Sequence, residues 1–114
     1  KPKQTVVSIS GDGGFLFNSQ ELATAVQFGI NVIAVVFNDN AYGNVKRDMK
    51  EMFNNKDLGS DLTNPDFIKL ADSYGVVGLR ADSPELLEKS LKHAMTLNKT
   101  VLIEVPIGET LSPF

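Results

Sequence analysis

The sequence predicts an α/β domain built as a parallel sheet with helices on both faces. Three observations carry that expectation. Apolar, β-branched runs alternate with helical patterns in the order βαβαα-βαβ, the alternation that yields a parallel sheet. The run Val32 to Phe37 is apolar throughout, as a strand is when helices cover both of its faces. The first two strand-like runs each end in an acidic turn, Gly11-Asp12-Gly13-Gly14 and Asn38-Asp39-Asn40, with a helical stretch between them. Such a crossover makes the two strands parallel, so both turns fall on one edge of the sheet.

Taken in order, Val6, Val7 and Ile9 form the first strand and lead into the glycine turn. Asn18 and Glu21 have the spacing of a helix N-cap and its reciprocal partner, which places a helix start there. Leu22, Ala25 and Val26 fall on one face of that helix, and Gly29 is positioned as a left-handed C-cap. After the second strand, Asn44 to about Phe53 reads as helix, with Val45, Met49, Met52 and Phe53 apolar between charges. Asn54 to Asn64, rich in Asp and Asn and holding Gly59 and Ser60, reads as a loop. Asn64-Pro65 has the pattern of a cap followed by Pro at the first helical position. Phe67, Ile68, Leu70 and Ala71 would be the buried face of that helix, which runs to Gly75. Val76 to Arg80 is a short strand. Ser83-Pro84-Glu85 opens a further helix with the apolar stripe Leu86, Leu87, Leu91, Ala94, Met95 and Leu97. Thr100 to Pro106 is the last strand, and residues 107–114 form a tail.

A chain of 114 residues is one domain, long enough for a real core. It has no repeat, low-complexity tract or internal linker. The net charge of -3, with no stripe of Lys and Arg, argues against nucleic acid as the main partner. Without cysteine there is no disulfide framework, thiolate nucleophile or zinc-thiolate site. One histidine cannot supply a His-based metal set, and no Ser–His–Asp set is visible. That residue, His93, sits among Lys89, Lys92 and Asn98 and reads as a surface position. A dinucleotide fingerprint fails, because Leu16 stands where the third glycine belongs. No apolar run approaches a membrane span and no signal peptide is visible, so we expect a cytoplasmic protein with no membrane partner. The chain opens on Lys1-Pro2-Lys3 and enters its first strand almost at once, which we read as a piece of a longer polypeptide.

In open α/β sheets ligands bind at the carboxyl edge of the strands, where Asp12 and Asp39 would sit. Neighbouring strands lie about 4.8 Å apart, close enough for two carboxylates to share a cation. Glycines beside Asp12 let backbone N–H groups approach a phosphate. Two hard oxygen donors beside a glycine cradle suggest a divalent ion holding a phosphorylated ligand. Tyr42-Gly43-Asn44 precede a helix whose N-terminus would favour an anion in the same pocket. The plainer reading makes Asp12, Asn38 and Asp39 turn residues. Lys46 and Arg47 either meet a substrate carboxylate or phosphate, or form a solvated helix face.

The segment Gly11-Asp12-Gly13, a spacer, and then Asn38-Asp39 resembles the thiamine diphosphate motif, which usually ends in Asn-Asn. Gln20-Glu21-Leu22-Ala23-Thr24-Ala25-Val26-Gln27 and Ala41-Tyr42-Gly43 look like the diphosphate-binding, C-terminal domain of the acetolactate synthase and benzoylformate decarboxylase superfamily. The resemblance extends through Asn64-Pro65-Asp66-Phe67 and Val101-Leu102-Ile103-Glu104-Val105. It implies that Mg²⁺ is coordinated by Asp12, Asp39 and the main-chain carbonyl of Ala41. It implies further that the amides of Gly13 and Gly14 face the diphosphate, within a cofactor site that also includes Gly11, Tyr42, Gly43 and Asn44. Asp39 stands in place of the usual second Asn; it keeps an oxygen ligand and adds a negative charge, strengthening the hold on a cation while opposing the diphosphate.

The resemblance also implies a 2-oxo acid decarboxylase or carboligase using thiamine diphosphate and Mg²⁺, assembled as a homodimer or homotetramer. The glutamate that activates the cofactor would then lie on a pyrimidine-binding domain of the same or a partner subunit. We therefore assign no catalytic residue to this chain and expect it to be inactive alone. A different class, a receiver-like phosphorylatable signalling domain, shares the size, the sheet and acidic strand ends around Mg²⁺. It needs a phosphoacceptor after a central third strand, where Arg80-Ala81-Asp82 only loosely serves. A module that keeps the fold and binds nothing is the third reading.

Overall fold

The computed structural model describes residues 4–54 and 58–108. Its elements are β1 (Val6–Gly11), α1 (Asp12–Leu16), α2 (Glu21–Gln27), β2 (Val32–Asn38), α3 (Gly43–Met52), α4 (Phe67–Ser73), β3 (Val77–Arg80), α5 (Pro84–Leu97) and β4 (Val101–Pro106). The four strands are all parallel and lie in the order β1-β2-β4-β3. This is the expected α/β architecture.

Side chains alternate across the two central strands, so each face has its own core. Ile33, Val35, Val101, Ile103 and Val105 pack with Ala94 of α5, and Leu87, Leu91 and Leu97 of that helix lie against them. On the other face Val36 and Leu102 pack with Leu22 of α2 and with Phe67 and Ala71 of α4. Burying each such large aliphatic or aromatic side chain is worth about 1.5–3 kcal/mol. Burial on both faces explains why β2 shows no polar alternation. β1 differs, because it is an edge strand: Ile9 is 71% exposed, and Val6 and Val7 also face outward.

Local chemistry explains most boundaries. Gly29 adopts φ +59 and closes α2 with paired bonds, Ile30 N–H to Ala25 O at 2.8 Å and Gly29 N–H to Val26 O at 3.2 Å. Ser83 caps α5 by accepting from the Leu86 amide at 3.2 Å, with Pro84 in the first turn.

Some expectations need correction. The glycine turn continues as a helix, α1, because Phe15 and Leu16 fold back onto the α4 side of the core and Phe15 meets Phe67 edge-on at 5.8 Å. No capping box forms at Asn18 and Glu21: α2 begins at Glu21 with Gln20 at the cap and no side-chain bond to it. Asn18 instead offers its carbonyl to the Glu21 amide at 3.0 Å. Asn64 is not a cap either; Asp66 takes that place, accepting from the amides of Ile68 and Lys69. Val26, Leu86 and Met95, expected on buried faces, are more than 40% exposed. β3 lies at the sheet edge, so the receiver-like reading, which needs a central third strand, fails on topology.

The loop before α4 is pinned to the second acidic turn. Ala41 and Asp61 form an antiparallel bridge, Tyr42 N–H donates to Ser60 O at 2.7 Å, and Leu62 N–H donates to Asn40 O at 2.7 Å. Residues 55–57 of that loop and 109–114 of the tail lie outside the described residues.

Candidate functional site

Parallel register pairs Gly11 with Phe37, so β1 and β2 release their acidic turns side by side at the carboxyl edge. Asp12 is the first residue of α1 and is only 2% exposed. Its Oδ1 accepts the Gly13 N–H at 2.9 Å. Asp39 leaves β2 half-buried, and its Oδ1 accepts the Ala41 N–H at 3.1 Å. Asn40 takes the left-handed conformation, φ 56, which a short amide side chain tolerates. Burial pushes the Asp39 carboxyl above its ordinary value of 3.8, and the neighbouring Asp12 charge pushes the same way against the Ala41 amide. Two carboxylates so placed oppose each other's ionisation, which a proton or a cation between them would relieve.

A cleft of about 200 Å³ opens over this pair, lined by Gly11, Asp12, Gly13, Gly14, Ala41, Tyr42, Gly43, Asn44 and Val45. Every residue of the expected cofactor site is in that lining except Asp39. Asp39 lies against Gly43 of that lining, where an added Cβ would collide with Asp39 Oδ2. The ring of Tyr42 lies over Gly13, and a Cβ there would collide with Tyr42 Cε1. Helix α3 begins at Gly43 with no side-chain cap and no acidic residue in its first turn, so its free N–H groups remain available to an anion.

Among the described residues no three His, Cys, Asp or Glu side chains gather to hold a metal. The expected ligand set, two carboxylates with a backbone carbonyl, is all-oxygen and suits a hard divalent ion that keeps some of its water. The donor chemistry and the open space over Gly11 and Gly14, where an added Cβ would meet nothing within 4 Å, fit Mg²⁺ with a diphosphate. One element of the expectation shifts: the Gly13 amide is engaged by Asp12 Oδ1.

Three participants were not singled out from sequence. Asn64 reaches in from the loop and donates through Nδ2 to Asp12 Oδ2 at 2.5 Å and to Asn38 Oδ1 at 2.9 Å. Asn38 Nδ2 donates to Glu104 Oε1 at 2.8 Å, and Glu104 Oε2 accepts Arg80 Nε at 2.9 Å. The available signal was Glu104 itself, a charge inside the apolar run Val101–Val105. A carboxylate there is buried and must have partners. Lys46 pairs with Asp61 at 2.6 Å and Arg47 with Asp48 at 3.6 Å. His93 is exposed on α5, as expected. No helix among the described residues is long and apolar enough to cross a membrane.

Fold and site together define a class: a parallel α/β domain whose carboxyl edge gathers two carboxylates, a glycine turn and an uncapped helix start around one cleft. The chain belongs to the family described as thiamine pyrophosphate enzyme, C-terminal TPP binding domain, whose model matches residues 1–105. It is 40% identical over 107 residues to an acetolactate synthase of Bacillus subtilis, covering 94% of this chain and 19% of that protein. It is 40% identical over 108 residues to a probable acetolactate synthase large subunit of Methanocaldococcus jannaschii, covering 94% of this chain and 18% of the relative. Among solved structures, a benzoylformate decarboxylase from Polynucleobacter necessarius superposes with a TM-score of 0.89 at 31% identity, covering 97% of this chain and 21% of that one. A thiamine diphosphate-dependent 4-hydroxybenzoylformate decarboxylase from Rhodococcus jostii gives 0.89 at 28% identity, covering 98% and 21%. The chain thus spans about a fifth of the length of the relatives it matches.

Proposed function

We propose that this chain anchors the diphosphate of thiamine diphosphate through Mg²⁺ in a 2-oxo acid decarboxylase or carboligase similar to acetolactate synthase. The observation that carries the reading is the placing of Asp12 and Asp39 on adjacent strand ends, Asp12 in the lining of a glycine-walled cleft and Asp39 against its Gly43. Asp12, Asp39 and the Ala41 carbonyl would hold the ion. The Gly14 amide and the start of α3 would meet the diphosphate, where the helix dipole favours negative charge. When bound, thiamine diphosphate supplies the carbon–carbon bond chemistry, and the protein's part is to bind and orient it. The chain would work against a pyrimidine-binding domain of the same or a partner subunit, in a homodimer or homotetramer, and alone it would not turn over substrate. The kinship with acetolactate synthases and benzoylformate decarboxylases supports a 2-oxo acid as substrate.

Calorimetry of thiamine diphosphate binding, with and without Mg²⁺, tests this on the chain, on Asp12→Ala and on the full-length protein that carries it. We expect binding that requires Mg²⁺ and disappears in Asp12→Ala. Absence of binding by both the chain and the full-length protein would sink the assignment.

A further inference from the structure

We propose that Glu104, held by Arg80, is a positioning residue that sets the polarity of the cation site through Asn38 and Asn64. The inference rests on the reading of Asp12 and Asp39 as the Mg²⁺ carboxylates. Glu104 sits in the central strand β4 at 4% exposure, and an ionised carboxylate only accepts hydrogen bonds. Its Oε2 is taken by Arg80, with Nε and Nη2 both at 2.9 Å. Its Oε1 accepts from Asn38 at 2.8 Å, so Asn38 must turn its NH₂ group inward to β4. The Asn38 oxygen then faces the site, where it accepts the Asn40 N–H at 3.1 Å and Asn64 Nδ2 at 2.9 Å. With its NH₂ turned to Asn38, Asn64 also donates to Asp12 Oδ2 at 2.5 Å, with Asn40 Oδ1 a more distant acceptor at 3.4 Å. Each amide thus has one permitted orientation, Asn38 held by Glu104 together with the Asn40 amide, and Asn64 by Asn38 together with Asp12. The Asn64 oxygen points away, buried and without a hydrogen-bond partner, as expected of an amide oriented by its NH₂ group alone.

The chain of donors has a consequence that mere packing lacks. In Glu104→Gln the shape is kept, but Arg80 demands the new amide's oxygen and leaves its NH₂ facing Asn38. Asn38 must then flip, and its NH₂ meets the Asn40 N–H and Asn64 Nδ2, donor against donor. Asn64 then loses one of its two close acceptors, and with it the contact that fixes the position of its bond to Asp12. Replacing Asn38 by Asp as well restores the match, because a carboxylate at 38 accepts from both sides.

The test is the Mg²⁺ concentration that half-saturates thiamine diphosphate binding to the full-length protein, read by calorimetry, with thermal melts in chelator to verify folding. Glu104→Gln should need about 10–100-fold more Mg²⁺, the usual effect of losing a residue that orients a metal ligand. The double variant Asn38→Asp/Glu104→Gln should recover most of that loss, whereas Asn38→Asp alone, with two carboxylates face to face, should not bind better than the parent. An unchanged Mg²⁺ requirement in folded Glu104→Gln overturns the proposal while leaving the Mg²⁺ site standing, and so does a double variant that fails to recover. If the unsubstituted protein needs no Mg²⁺, both readings fall. Should Glu104→Gln not fold, Asn64→Leu carries the test: a roughly tenfold higher requirement supports the proposal, and an unchanged one overturns it.

Discussion

Gly13 and Gly14 are adjacent, both lie in α1, and both line the cleft, yet replacing each with alanine should have opposite effects. A Cβ on Gly14 meets nothing within 4 Å. Gly14→Ala therefore gains only what alanine offers a helix and takes from the unfolded chain, about 0.5–1 kcal/mol of stabilisation. A Cβ on Gly13 would collide with Tyr42 Cε1 and lie 2.8 Å from Tyr42 Cδ1 and 3.2 Å from Leu62 Cδ1. Carbon atoms rest at about 3.5–4.0 Å, so the ring must retreat by roughly an ångström. Tyr42 cannot simply slide, because its amide is tied to Ser60 O and its carbonyl accepts the Lys46 amide. Overpacking of this kind costs about 1–3 kcal/mol. Set against the same alanine gain, Gly13→Ala should be about 1 kcal/mol less stable than the parent and about 2 kcal/mol less stable than Gly14→Ala. At about 4–8 °C per kcal/mol for a small domain, the two variants should melt roughly 8–16 °C apart. Thermal denaturation followed by circular dichroism, in chelator and without cofactor, measures the difference. Equal melting temperatures would refute the claim that Gly13 is there to let the Tyr42 ring close over it.

Three further outcomes follow from particular contacts. Phe67 has no exposed surface and stacks edge-on with Phe15, so Phe67→Ala should cost about 3–5 kcal/mol in urea denaturation; a loss under 1 kcal/mol would mean α4 does not anchor that core. Ser83→Ala removes the cap of α5 and should cost about 1 kcal/mol, with Ser83→Asp close to neutral in the same assay. Because burial and Asp12 raise the Asp39 carboxyl above 3.8, the fold binds that proton more tightly than the unfolded chain does. Stability without metal should therefore fall as the pH rises from 3.8 through the raised value. Asp39→Asn should melt higher than the parent at neutral pH, the gain vanishing below about pH 3.8; a gain that persists in acid would refute the electrostatic cause.

Much of the site was legible because it is encoded locally. Asp12 and Asp39 could be placed on one edge since a strand–helix–strand crossover leaves no other choice. Gly29 was legible because its left-handed turn obeys a rule of a few consecutive residues. Asn64 was not. Asn-Pro has the pattern of a cap and first helical residue, but Asp66 captures the amides of Ile68 and Lys69 and leaves Asn64 free to reach Asp12 and Asn38. Nothing in the neighbouring sequence specifies that reach, which depends on the loop being bridged to Ala41. Helix α1 was missed for the opposite reason: two glycines argue against a helix, and contacts of Phe15 and Leu16 with a distant part of the core outweigh them.

The strand order has a consequence for the chain as it is made. Val6 finds Val32 early, but Ile33 must wait for Val101 before the second side of β2 is paired. The most apolar strand therefore leaves the ribosome as an open edge and remains one until Val101–Pro106 has followed it. Unpaired apolar edges are templates for association. We expect a chain cut after Lys99 to sediment as aggregate and one ending at Gly108 to stay in solution. Equal solubility of the two would mean that something other than β4 shields β2 during synthesis, such as a helix docked temporarily along its edge.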